Sequence, residues 1–127
     1  MPTSAGKTRI AELSILKTFL EHPDNPEVKC VYIAPFRSLA VEIESTLRKG
    51  LRPLGIRVSE IYGGFDLSST ERRLVAETQV LIATPEKLDA IIRQDPDLLN
   101  EVRLVIIDEG HLAGQLSERG LRAEVLV

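Results

Sequence analysis

The chain has 127 residues, enough for one domain with a sizeable core. Hydrophobic residues at 43% and charged residues at 28% exclude a disordered or low-complexity polypeptide. A formal net charge of −3 at pH 7 excludes a global basic field. Any contact with nucleic acid therefore has to be local, through a few side chains, backbone N–H groups and helix N-termini.

Taken in chain order, the pattern alternates. Gly6 to about Leu20 reads as a helix, with Ile10, Leu13, Leu16 and Leu20 at helical spacing. Residues 21–27 hold Pro23, Asp24, Asn25 and Pro26, which is turn chemistry. Val28 to Ala34 is a short apolar run with β-branched residues, as expected of a strand buried on both faces. A second helix starts at Ser38 and carries Leu39, Ile43, Leu47 and Leu51, with Gly50, Pro53 and Gly55 marking its end. Ile56 to Tyr62 is the next strand, broken by Gly63-Gly64.

Ser68 and Glu71 have capping-box spacing and predict a short helix to about Glu77. Gln79 to Ala83 is a strand, and Pro85 to about Arg93 a helix with proline in its first turn. Asp95-Pro96 turns the chain into Arg103–Asp108, the most apolar strand. A last helix is expected to begin near Ser117 and to run to the end of the chain. Short apolar strands alternating with helices predict an α/β fold, a parallel sheet with helices on both faces.

Cys30, the one cysteine, can form no intrachain disulfide and sits in an apolar run, so it is expected to be a buried small hydrophobe. No stretch is long and apolar enough for a membrane span, and the N-terminus lacks a signal-peptide layout. A cytoplasmic location without membrane contact is the expectation.

Two short stretches carry chemistry. Gly6-Lys7-Thr8 follows the ending of the pattern G-x-x-x-x-G-K-[ST]. A loop entering a helix aims several unpaired N–H groups at one spot, and the helix dipole adds positive potential there. Gly6 would admit phosphates close to the backbone, Lys7 would reach the β- and γ-phosphates, and the Thr8 hydroxyl would ligate magnesium. The first glycine of the pattern is replaced by Met1, and no strand precedes the loop, so the chain is expected to be a piece of a larger protein. The second stretch, Asp108-Glu109-Gly110-His111, closes the most apolar strand. Ligands in open α/β sheets sit beyond the carboxyl ends of strands. Asp108 is placed to hold Mg2+ and Glu109 to polarise or deprotonate an attacking water. The bland alternatives are a helix N-cap with a surface lysine, and a solvated turn after a strand. With only His22 for company, His111 supports no histidine metal site.

Five segments together resemble superfamily 2 helicases. Pro2-Thr3-Ser4-Ala5-Gly6-Lys7-Thr8 is similar to motif I, and Ala34-Pro35-Phe36-Arg37-Ser38-Leu39-Ala40 to motif Ia. Tyr62-Gly63-Gly64 is similar to the glycine-pair motif, Ala83-Thr84-Pro85-Glu86-Lys87-Leu88-Asp89 to the T-P-[EG]-[KR] motif, and Asp108-Glu109-Gly110-His111 to motif II in its D-E-x-H form. His111-Leu112, Glu118-Arg119-Gly120 and Glu124 resemble the Ski-like branch of D-E-x-H helicases.

The resemblance implies a RecA-like P-loop domain over residues 1–127, incomplete at both ends. It implies binding of ATP with Mg2+ by Pro2, Thr3, Ser4, Ala5, Gly6, Lys7, Thr8, Asp108, Glu109 and His111, with Thr8 and Asp108 at the metal and Glu109 and Lys7 in catalysis. His111 would couple the ATP site to the motif III strand. Pro35, Arg37, Gly63, Gly64, Thr84 and Pro85 would face single-stranded DNA or RNA. Read without the resemblance, Arg37 is a surface arginine, Thr84 an ordinary N-cap and Gly63-Gly64 a turn.

The family also implies a second RecA-like domain that supplies an arginine finger, and a motif III strand, whose absence would leave apolar strand edges open. The motor reading predicts an ATP-dependent helicase or translocase, with ATPase near background for this segment alone. The rivals are a truncated nucleotide-binding module without turnover, and a phosphate-loop enzyme such as a small-molecule kinase.

Overall fold

A computed structural model describes residues 4–63, 66–108 and 123–126, with side chains for 8–63 and 66–107. Helix α1 (Ser4–Glu21) leads through a proline-containing loop to β1 (Lys29–Ile33). Then follow α2 (Arg37–Leu51), a 3-10 turn (Arg52–Leu54), β2 (Val58–Ile61), α3 (Ser69–Glu77), β3 (Val80–Ala83) and α4 (Pro85–Gln94). A second 3-10 turn (Pro96–Leu99) leads into β4 (Val102–Asp108), and Ala123–Leu126 form β5. The sheet has the order β2-β3-β1-β4-β5 and every pairing is parallel. All strands therefore end on the same edge, and that edge receives the predicted motifs.

Strand periodicity divides the core into two layers. Cys30, Tyr32, Val80, Ile82, Leu104 and Ile106 face α1 and α2, and Val31, Ile33, Leu81, Ala83, Val105 and Ile107 face α3 and α4. The alternation slips at the start of β4. A register irregularity opposite Lys29 and Cys30 puts Val102 in the same layer as Val105. Cys30 is fully buried, as expected.

The predicted face of α1 needs correction. Ile10, Leu13 and Leu20 are 55%, 60% and 79% exposed, and Leu16 is only partly buried. Thr8, Ala11, Ile15 and Thr18 are the buried stripe. Both sets have helical spacing, and the small residues of the second let the helix lie close to the sheet. The Thr18 hydroxyl donates to the Ser14 carbonyl at 3.0 Å, so burying it costs little.

Helix α2 ends at Leu51, within the stretch from Gly50 to Gly55 expected to mark its end. Gly50 lies inside it, where a Cβ would come within 2.6 Å of the Glu12 carboxylate. The glycine makes room for α1, and the chain turns instead at Gly55, whose φ of +78° is left-handed.

The closing helix is not observed where description resumes. Ser117 lies outside the described residues, and Ala123–Leu126 pair with β4 in the register Val105↔Ala123 to Asp108↔Leu126. Helical and extended periods are indistinguishable over so short an apolar stretch, and the ladder groups on the outer edge of β4 gain partners by the pairing. Among the described residues, β5 thus covers the outer edge of β4. Among the described residues, no helix is long and apolar enough to cross a membrane.

Candidate nucleotide and nucleic-acid sites

The first cluster is built on α1 and β4. Helix α1 includes Ser4, Ala5, Gly6 and Lys7, so the helix begins slightly before the predicted Gly6. Thr8, in its first turns, is 2% exposed on the inward stripe. Because α1 packs on the sheet beside β4 and its far end feeds the start of β1, its N-terminus lies toward the carboxyl edge. Asp108 is the last residue of β4 on that same edge. Pro2, Thr3, Glu109 and His111 lie outside the described residues.

The second cluster is a groove of about 480 Å³ lined by Pro35, Phe36, Arg37, Tyr62, Gly63, Thr84 and Glu86. Its size is within the range of ligand clefts. Three parallel strands deliver these residues together, because β1, β2 and β3 all end here. The β1–β3 ladder continues to the groove floor, where the Ala34 amide donates to the Ala83 carbonyl at 3.0 Å. The motifs around Arg37, Gly63 and Thr84-Pro85 are thus one surface. Gly64 lies outside the described residues. Gly63 has φ +89°, a conformation that glycine adopts without strain, which accounts for a glycine after Tyr62.

Two helix N-termini open on this groove, and neither is capped by its own N-cap side chain. Phe36 occupies the N-cap of α2 and has no oxygen to offer. Thr84 occupies the N-cap of α4, but its hydroxyl makes no capping bond and Pro85 follows. Thr84 is 4% exposed, and its Oγ1 is buried with no hydrogen-bond partner among the described residues. The ordinary N-cap reading of Thr84 is therefore not what the geometry shows.

Arg37 is held rather than free. Its guanidinium carbon lies 4.1 Å from the centre of the Tyr62 ring, and Nη2 donates to the Tyr62 hydroxyl at 2.9 Å. Behind it, on the α2 side of β2, Glu60 has a raised pKa. Burial is the main cause, reinforced by Glu44 and partly offset by Arg48 and Arg37. On the other side, the buried Lys87 ammonium donates to the Asp66 carbonyl at 2.8 Å and pairs with Glu71 Oε2 at 2.9 Å. That pair ties α4 to the segment entering α3.

Tyr62, Phe36 and Lys87 were quoted only as parts of motifs in the sequence. The scarcity of aromatics was the available signal for the first two. Nothing local announces that Lys87 is buried.

Residues 1–126 match the model of the DEAD/DEAH box helicase family. The chain is 45% identical over 127 residues to the Hachiman protein HamB of Bacillus cereus, covering all of this chain and 11% of that protein. It is 41% identical over 133 residues to the DExH-box ATP-dependent RNA helicase DExH14 of Arabidopsis thaliana and 42% identical over 134 residues to the pre-mRNA-splicing factor brr2 of Schizosaccharomyces pombe. Each match covers 99% of this chain and 6% of the relative. The chain thus spans about a tenth or less of the length of these relatives. With a parallel α/β sheet of RecA-like form and a match over almost its whole length, the chain belongs to the DEAD/DEAH box helicase family.

Proposed function

We propose that this chain is the ATP-binding part of a helicase or translocase motor, gripping a single strand of DNA or RNA by its backbone. The carrying observation is the groove at the carboxyl ends of β1, β2 and β3. There Arg37 and two helix N-termini without side-chain caps open on one space, with the buried Thr84 in its lining. Such a set suits phosphates and carries no base code.

In this reading the nucleotide site lies on the same edge. The free first-turn amides of α1 and the Lys7 ammonium hold the triphosphate of ATP. The hydroxyl of Thr8 and the carboxylate of Asp108 are hard oxygen donors and fit Mg2+, and Thr8 lies on the face of α1 turned toward the sheet. Mg2+, when bound, neutralises charge on the phosphate oxygens. Glu109 accepts a proton from the water that attacks the γ-phosphorus, and ADP and phosphate leave. A second RecA-like domain of the same protein closes over ATP and the strand, and hydrolysis reopens the pair.

The test is phosphate release from ATP by the protein carrying both motor domains, with and without single-stranded DNA or RNA. Stimulation by strand, abolished in Lys7→Ala, supports the motor. Nucleotide binding without strand-stimulated turnover supports the module without turnover instead. In Glu109→Gln the motor reading expects ATP to bind and hydrolysis to stall.

A further inference from the structure

We propose that Phe36 is a stacking platform for an unpaired nucleobase, seated next to Arg37 on the neighbouring phosphate. The inference deepens the strand-binding reading and rests on it.

Phe36 has no local reason to be where it is. It stands at the N-cap of α2, a position that favours Ser, Thr, Asp or Asn because their oxygens satisfy first-turn amides. Phenylalanine forgoes that stabilisation. Nor does the ring contribute to the core, since it is 54% exposed while Ala34, two residues before it, is fully buried. Its backbone is extended, at φ −152° and ψ 161°, which ends the run of β1 and turns the chain into the helix.

The distribution of aromatics points to a ligand with a flat apolar face. The chain has three phenylalanines, two tyrosines and no tryptophan. Among the described residues, Tyr32 and Phe19 belong to the core layer under α1 and α2, and the other two, Phe36 and Tyr62, both line this groove. Tyr62 is already engaged by Arg37. Among the described residues, Phe36 is the aromatic with open surface.

The groove also offers the complement to the rest of a nucleotide. Arg37 follows Phe36 directly, so a cation and an apolar ring are presented one residue apart. Thr84, with its Oγ1 buried and unpartnered, and Glu86 line the same groove. An exposed apolar plane beside a cation matches the alternation of base and phosphate in a single strand. Stacking on an aromatic is tolerant of sequence, because every base has a π-face. A sequence-independent motor would then gain grip without gaining preference.

The experiment compares strands with and without bases. Binding of an oligothymidylate and of an abasic strand of equal length is measured for the protein carrying both motor domains, as wild type, Phe36→Ala, Phe36→Trp and Arg37→Ala. The wild type should bind the base-bearing strand roughly tenfold more tightly than the abasic one, and Phe36→Ala should lose that advantage without losing affinity for the abasic strand. Phe36→Trp should retain it, and the indole emission it adds over the wild type should be quenched by the base-bearing strand and not by the abasic one. Arg37→Ala should weaken both strands alike. If Phe36→Ala binds both strands as the wild type does, or the indole is indifferent to a bound base, the ring is no stacking platform and the strand-binding reading survives. If the wild type binds neither strand, both fail together.

Discussion

The Arg37 guanidinium rests 4.1 Å from the Tyr62 ring centre and donates to that residue's hydroxyl at 2.9 Å, joining the start of α2 to the end of β2. The contact fixes where a positive charge stands in the groove. Replacing Arg37 by alanine should weaken strand binding and make its salt dependence shallower, by about one unit of the log–log slope. Tyr62→Phe keeps the ring face and loses the hydroxyl, so it should cost about 1 kcal/mol or less of strand binding. Tyr62→Ala loses both contacts and should approach Arg37→Ala. Titrations over a salt series check the order.

Lys87 is 3% exposed and holds both Asp66 and Glu71. Lys87→Met fills similar volume but leaves a carboxylate and a carbonyl short of their donor. It should destabilise the fold by about 2–3 kcal/mol in urea denaturation.

Two carboxylates should respond to acid in opposite senses. Burial pushes the Glu71 carboxyl up, but hydrogen bonds from Ser68 and Lys87, with the Lys87 charge, outweigh it and hold the group below 4.5. Its contribution to stability is complete above the unfolded value and is lost as pH falls through the folded one. Glu60 is raised, by burial first and by Glu44 next. Its ionisation opposes folding above the raised value, and that cost disappears as pH falls below 4.5. Relative to wild type, Glu71→Gln should therefore be destabilised at neutral pH and converge on acidification. Glu60→Gln should be stabilised at neutral pH and converge likewise. Denaturation midpoints between pH 7 and pH 3 test both signs.

The two stripes of α1 predict unequal costs. Ile15→Ala, in the core, should cost about 2–5 kcal/mol. Leu13→Gln, on a side chain that is 60% exposed, should stay within about 0.5 kcal/mol. Thermal or urea unfolding separates them, and equal losses would mean that the outer stripe is also packed.

What could be read from sequence was what is local. The capping box is an example: Ser68 Oγ accepts from the Glu71 amide at 3.1 Å, and the Glu71 carboxylate accepts from the Ser68 amide at 3.0 Å, as their spacing alone required. Strands β1 and β3 and the Leu104–Ile107 run of β4 were legible for a related reason, since runs buried on both faces leave little room for another reading. The buried stripe of α1 was not legible, because two stripes of equal period compete and only the sheet chooses between them. Neither was the burial of Lys87, whose partners Asp66 and Glu71 belong to the segment before β3. In the strand groove, the motifs around Arg37, Gly63 and Thr84 were legible as sequence. The Tyr62 contact and the uncapped Thr84 hydroxyl required the three strand ends to be brought together.

The account depends most on Lys7 and Asp108 serving one magnesium–triphosphate. The direct measurement is ATP affinity with and without Mg2+ for the wild type, Lys7→Ala and Asp108→Asn. Lys7→Ala should bind ATP roughly ten- to a hundredfold more weakly, and Asp108→Asn should lose the gain in affinity that Mg2+ gives the wild type. If both variants bind ATP with the wild-type affinity and the wild-type magnesium dependence, the two residues do not share a ligand and the motor reading is contradicted.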